Sequence, residues 1–96
     1  MQERTVKISN RLGLHARAAA RLVQCAAKFT STVEIQRQDS GKTADGKSIL
    51  NVLLLAASAG TTLVLKIEGA DEERAADAIV KLIEGKFGEG VSDGLY

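Results

Sequence analysis

In three short stretches of this chain every second residue is a large apolar one: Thr5-Val6-Lys7-Ile8-Ser9, Thr32-Val33-Glu34-Ile35-Gln36-Arg37 and Thr62-Leu63-Val64-Leu65-Lys66-Ile67-Glu68. Successive side chains of a strand point to opposite faces, so each stretch presents one dry face and one wetter face. Strands of this kind belong to antiparallel sheets, whereas the buried strands of parallel sheets read as unbroken apolar runs. A sheet that is open to water on one side must gather its helices on the other.

The segments between the strands supply those helices. Ala16 to Lys28 is rich in alanine, the best helix former, and places Ala19, Leu22, Val23 and Ala26 on one face. Ser48 to Ala57, SILNVLLLAA, is a short and strongly apolar helix opened by a serine. Glu72 to Glu84 is a third helix, with Asp71 as N-cap, two glutamates at its positive end and Gly85 as its stop. Lys42-Thr43-Ala44 adds a short strand. The order β-α-β-β-α-β-α predicts an α+β open-faced β-sandwich: a four-stranded antiparallel sheet covered on one face by three helices.

Ninety-six residues make one domain, expected to span residues 1–88, with a flexible Gly-rich tail over 89–96 inside the mobile stretch FGEGVSDGLY. Aromatics are only 3% of the chain, so the core must come from Ala, Val, Ile and Leu. With 13 basic and 12 acidic residues there is no basic stripe or stacking platform, and no nucleic-acid partner is expected. No apolar run approaches the ~20 residues of a membrane helix, and MQERTVKIS carries no apolar signal segment. No membrane insertion and a cytoplasmic location are expected. The single Cys25 excludes an internal disulfide and any zinc-type spacing, and it reads as a half-buried structural thiol. No metal and no cofactor are expected.

Gly41-Lys42-Thr43-Ala44-Asp45-Gly46-Lys47-Ser48 fits the phosphate-loop pattern G-x-x-x-x-G-K-[ST]. Such a loop needs a buried parallel strand before it, and VEIQRQ is half polar. The chain is also too short for the several βα units of a nucleotide-binding domain. The match is read as accidental.

The one histidine, His15, stands directly before the first helix. As N-cap it leaves the amides of Ala16, Arg17 and Ala18 unpaired within the helix. The positive helix end favours a neutral ring, the form that can attack phosphorus. A phosphoryl group on that ring would meet the amides and the Arg17 guanidinium. Gly13 and Ala16, both small, leave room for a partner. On these residues alone, a phosphoryl acceptor and an ordinary capping or surface histidine stand level.

A resemblance decides between them. NRLGLHARAAARL resembles the active-site segment of HPr, the histidine-containing phosphocarrier of the phosphoenolpyruvate-dependent phosphotransferase system, and GKSILNVLLLAASAG resembles that family's regulatory-serine segment. The likeness runs from about Thr5 to Glu84, and L-G-L-H-A-R beside G-K-S-I is specific to the family. It implies that enzyme I phosphorylates His15 on Nδ1 and that the group passes to a IIA-type domain. Arg17 would help to hold and transfer the group. Ser48 would be the target of an HPr kinase/phosphorylase, a role compatible with that of a plain N-cap serine. The chain would be a stoichiometric carrier, expected to be monomeric, rather than an enzyme. The alternative within the family is a nitrogen-type or serine-phosphorylated regulatory module that acts by protein contacts.

Two features need separate comment. The family usually has proline where this chain has Ala18, which keeps a free N–H. SILNVLLLAA holds more large apolar residues than one face can bury. Ile49, Val52 and Leu55 would face the sheet, leaving Leu50, Leu53 and Leu54 as core packing or as a docking patch for both donor and acceptor, as in the family.

Overall fold

The computed structural model describes residues 1–89. Strand β1 (Gln2–Lys7) is followed by α1 (Ala16–Ala27), β2 (Thr32–Arg37), β3 (Thr43–Asp45), α2 (Ile49–Leu54), β4 (Thr62–Glu68) and α3 (Glu72–Glu84), and a 3-10 turn closes the order at Lys86–Gly88. The four strands form one sheet in the order β1-β4-β2-β3, and every pairing is antiparallel. The α+β open-faced sandwich expected from the strand pattern is the fold observed.

Register puts the apolar residues together. Val6 lies opposite Leu63, Val33 opposite Ile67, and Ile35 opposite both Leu65 and Ala44. All seven are at most 5% exposed. Against them α1 buries Ala18, Ala19, Leu22 and Ala26, and α3 buries Ala75, Ala76, Ile79 and Ile83. The paired alanines carry nothing beyond Cβ, which lets each long helix lie close to its neighbours. Cys25 is half-buried at the edge of this core, and burial pushes its thiol pKa up, away from the reactive thiolate.

The largest boundary differences from the sequence reading are at the start of β1 and the end of α2. β1 starts three residues earlier than Thr5, because its ladder with β4 continues to Gln2 opposite Ile67. Its polar residues there have partners: the Arg4 guanidinium donates to Gln2 Oε1 at 3.0 Å and to Asp77 on α3 at 2.8 Å. α2 stops at Leu54, and Ala56 takes a left-handed φ of 51° that turns the chain away.

The larger correction concerns the stretch after α3, which was expected to be mobile from Phe87 and to leave the domain at residue 89. Lys86, Phe87 and Gly88 have φ of 58°, 54° and 81°, a left-handed run that folds the chain back on itself. The two non-glycine residues each cost about 1–2 kcal/mol in that region. Phe87 is 1% exposed, and burying a side chain of that size returns about 1.5–3 kcal/mol. The Arg21 guanidinium on α1 donates to the Phe87 carbonyl and fixes the hook. Glu89 is buried as well. The rest of the tail, residues 90–96, lies outside the described residues.

Asp71 precedes α3, but its carboxylate does not cap that helix. It accepts from the amides of Thr30 and Ser31, at 2.9 and 3.0 Å, and from the Ser31 hydroxyl. These bonds, the hydroxyl first, lower its pKa from the ordinary 3.8 to about 2. A lowered carboxylate pKa means stability that is complete above the ordinary value and is lost as pH falls through the folded one. The wild-type urea midpoint should therefore decline between about pH 4 and pH 2. Asp71→Asn should start lower at neutral pH and lose less over that window; parallel curves for the two proteins would refute the assignment.

Candidate functional site

The site begins with a loop that only glycine can complete. Gly13 has φ +68°, and a Cβ there would stand 2.5 Å from the Ala57 carbonyl oxygen and 2.9 Å from Ser58 Cα. Its smallness serves this backbone contact with the exit of α2, and not the approach of a partner; Gly13 is buried. The next residue, Leu14, is 4% exposed and donates its amide to the Ala57 carbonyl at 2.8 Å. His15 is thus delivered to the start of α1 by an anchored residue.

His15 occupies the N-cap position in extended conformation (φ −77°, ψ −179°), and its carbonyl accepts from Ala19 at 2.8 Å. Its ring makes no capping bond. The amides of Ala16, Arg17 and Ala18 consequently have no acceptor among the described residues. Arg17 is exposed, and its guanidinium has no hydrogen-bond or ion-pair partner among them. One part-exposed imidazole, three amide donors and one guanidinium therefore share the first turn of α1.

Two further residues hold the ring, and the sequence reading passed over both. The Nε2 of His15 pairs with Glu89 Oε2. The other carboxylate oxygen, Oε1, accepts from Asn10 Nδ2 at 2.8 Å, and the same nitrogen donates to the Gly13 carbonyl at 2.8 Å. Asn10 is 1% exposed and Glu89 7%. The one signal in the sequence was Phe87, a large aromatic residue close to Gly85, Gly88 and Gly90.

Ser48 caps α2: its hydroxyl accepts from the Asn51 amide at 3.3 Å. In front of it, the phosphate-loop pattern contains β3 and a tight turn. The Gly46 amide is bonded to the Val33 carbonyl at 2.7 Å, and Lys47 Nζ donates to the Phe29 carbonyl at 2.7 Å. Those groups are committed to the fold. On α2, Val52 and Leu55 are buried as expected, but Ile49 is 44% exposed instead of facing the sheet. A six-residue helix has room for one buried stripe, and Val52 with the C-terminal Leu55 fills it. Leu50 and Leu54 are 63% and 57% exposed, whereas Leu53 is half-buried against the core. Leu12, in the loop before His15, is also exposed. Among the described residues no three His, Cys, Asp or Glu side chains could hold a metal, and no helix is long and apolar enough to cross a membrane.

Comparison with known proteins assigns the family and the fold. The family model described as the PTS HPr component phosphorylation site matches residues 2–85. The phosphocarrier protein HPr of Cupriavidus necator is 48% identical over 90 residues, covering 94% of this chain and 99% of its own. Among solved structures, an HPr from Thermoanaerobacter tengcongensis superposes with a TM-score of 0.87 at 45% identity, covering 92% of this chain and 97% of the other. An HPr dimer from the same organism gives 0.71 at 45% identity, with coverage of 91% and 98%. The chain belongs to the HPr family, the phosphocarrier proteins of the phosphoenolpyruvate-dependent phosphotransferase system.

The cap geometry at Ser48 carries its own test. Ser48→Ala should lower unfolding free energy by about 0.5–2 kcal/mol, while Ser48→Asp, an equally good cap with favourable charge, should be neutral or better. Urea titrations of the three proteins measure this, and equal losses in both variants would show that the cap bond contributes nothing.

Proposed function

We propose that His15 takes a phosphoryl group from phosphorylated enzyme I and passes it to a IIA-type acceptor domain. The observation that carries this reading is the first turn of α1. The chain's sole imidazole precedes three amides without an acceptor and an arginine without a partner among the described residues. A neutral ring nitrogen is a competent nucleophile towards phosphorus, and the group that arrives brings negative charge to the positive end of a helix. Amides of Ala16, Arg17 and Ala18 would donate to its oxygens, and Arg17 would neutralise part of its charge. With Nε2 engaged by Glu89, the nitrogen left for phosphorus is Nδ1. No metal or cofactor takes part, and the protein is a stoichiometric carrier rather than an enzyme.

Partner docking falls to the exposed leucines of α2. Leu50 and Leu54 offer apolar surface, with Leu53 beneath them. Ser48, at the head of this helix, is the site for regulation by an HPr kinase/phosphorylase. A phosphate there suits the helix start but sets charge beside the apolar patch, where it would repel acidic partner groups. The acceptor machinery comes from one chain, which supports a monomeric carrier, although the T. tengcongensis protein has also been described as a dimer. A cytoplasmic location accords with phosphoenolpyruvate as the ultimate donor.

Incubated with enzyme I and phosphoenolpyruvate, the protein should take up one phosphoryl group that is labile in acid and stable in base. His15→Ala should abolish labelling while the chain stays folded. Arg17→Ala should be labelled more slowly, since it removes charge stabilisation and leaves the nucleophile. Labelling of His15→Ala at the wild-type level, or an acid-stable label, would overturn the relay.

The regulatory branch is tested separately. Folded Ser48→Asp should accept phosphoryl groups from enzyme I more slowly than wild type, and equal rates would remove Ser48 as a switch.

A further inference from the structure

The contact between Glu89 and His15 joins residues 74 positions apart and buries a carboxylate behind an imidazole. A packed hook brings Glu89 there: Phe87 is in the core, Arg21 holds the Phe87 carbonyl, and Lys86 to Gly88 run left-handed. Asn10 is oriented behind the carboxylate. Both protons of its Nδ2 are used, one on the Gly13 carbonyl and one on Glu89 Oε1, and its buried Oδ1 has no partner among the described residues. Turning the Asn10 amide over would set Oδ1 against the Gly13 carbonyl, acceptor against acceptor. The amide is therefore locked as a donor towards residue 89.

We propose that Glu89, held by Asn10, is a positioning residue that fixes His15 as the Nε2–H tautomer, so that the lone pair lies on Nδ1. This inference rests on the phosphoryl-relay reading. A carboxylate accepts on both oxygens, so one takes the Asn10 proton and the other takes Nε2–H. A neutral imidazole with its proton on Nε2 has its lone pair on Nδ1. In the transfer step that pair forms the N–P bond while the bond from phosphorus to the donor's leaving group breaks, its electron pair departing with that group. The proton stays on Nε2, and Glu89 faces the positive charge the ring then carries. A carboxylate behind the reactive imidazole of an acyl-transfer site sets the tautomer in the same way. The charged residues flanking the pair along the chain are Arg11 in the loop, Arg17 and Arg21 on α1, and Lys86 on the hook. Arg21 is directed to the Phe87 carbonyl, and in the loop Arg11 is exposed while the buried Asn10 is uncharged.

The lock gives an unusual prediction for the closest isostere. Glu89→Gln has one acceptor and one donor end. Asn10 requires the acceptor, so the new amide NH2 would face Nε2, which must then accept. The ring should switch to the Nδ1–H tautomer, with no lone pair where phosphorus arrives. Glu89→Ala should leave a mixture, and Glu89→Asp should retain part of the wild-type state.

Because the chain has a single histidine, long-range proton–nitrogen correlation spectra of the 15N-labelled full chain read the tautomer directly. Recorded where the ring is neutral, wild type should show Nε2–H and Glu89→Gln should show Nδ1–H. Phosphoryl uptake from enzyme I should fall about tenfold to a hundredfold in Glu89→Gln, more than in Glu89→Ala. A wild-type ring in the Nδ1–H form overturns the proposal with no variant needed. So does a Glu89→Gln protein with wild-type tautomer or wild-type uptake. If the wild type takes up no phosphoryl group, the relay reading fails, while the spectra still decide what Glu89 does to the ring.

Discussion

β4 is the strand on which the other layers depend. It pairs with β1 on one side and β2 on the other, and its Leu63, Leu65 and Ile67 are fully buried beneath the helices. Its alternate residues Thr62, Val64 and Lys66 stay partly exposed on the open face. Because the strand is wet on that side, α1 and α3 are both confined to the other, packed against the same apolar rows. The β1–β4 pairing also runs beyond the strands themselves. Ile8 donates to the Thr61 carbonyl at 2.9 Å, and its own carbonyl accepts from Gly60 at 2.8 Å. This extension carries the chain to the buried Asn10, from which the histidine loop departs.

The loop is then tied to α2 by Leu14 and Gly13 against Ala57, so that α1 and α2 hold a fixed relation near the imidazole. This coupling is of backbone to backbone and leaves side chains free for chemistry. Exposed Leu12 precedes the histidine, while exposed Leu50 and Leu54 lie on the neighbouring helix. For the carrier proposed above, exposed apolar side chains on the loop and on the helix next to it would suit brief contact with more than one partner.

Where local pattern and tertiary structure agree, the chain could be read directly. The bounds of β2 and β4 coincide with their alternation, and α3 ends at its stop residue Gly85, because periodicity and burial demand the same thing there. The placement of His15, Arg17 and Ser48 was legible because each sits at a helix start, a position with a local signature. Glu89 and Asn10 were not. Their roles depend on a left-handed turn at Lys86 and Phe87, residues with no intrinsic preference for it, and on contacts between chain positions 10, 15 and 89. Composition there signals a tail, and only tertiary packing of Phe87 overrides it. Asp71 makes the same point in reverse: it has the right residue type for a cap, yet its carboxylate serves the Thr30–Ser31 turn instead.

Ala18 shows how the site balances order against donor groups. A proline at this position, usual in the family, would stiffen the first turn but would supply no N–H. Alanine keeps the donor, so three amides rather than two lack an acceptor at the start of α1 among the described residues, and its methyl group is fully buried. The rigidity that proline would have contributed is provided elsewhere in this chain. Leu14 is clamped to Ala57 on one side of His15, and Glu89, braced by Asn10, holds the ring itself. The imidazole thus stands between a positive helix end and a buried carboxylate. In the relay proposed above, that arrangement would stabilise charge separated across the ring, with phosphoryl oxygens towards the amides and the retained proton towards Glu89.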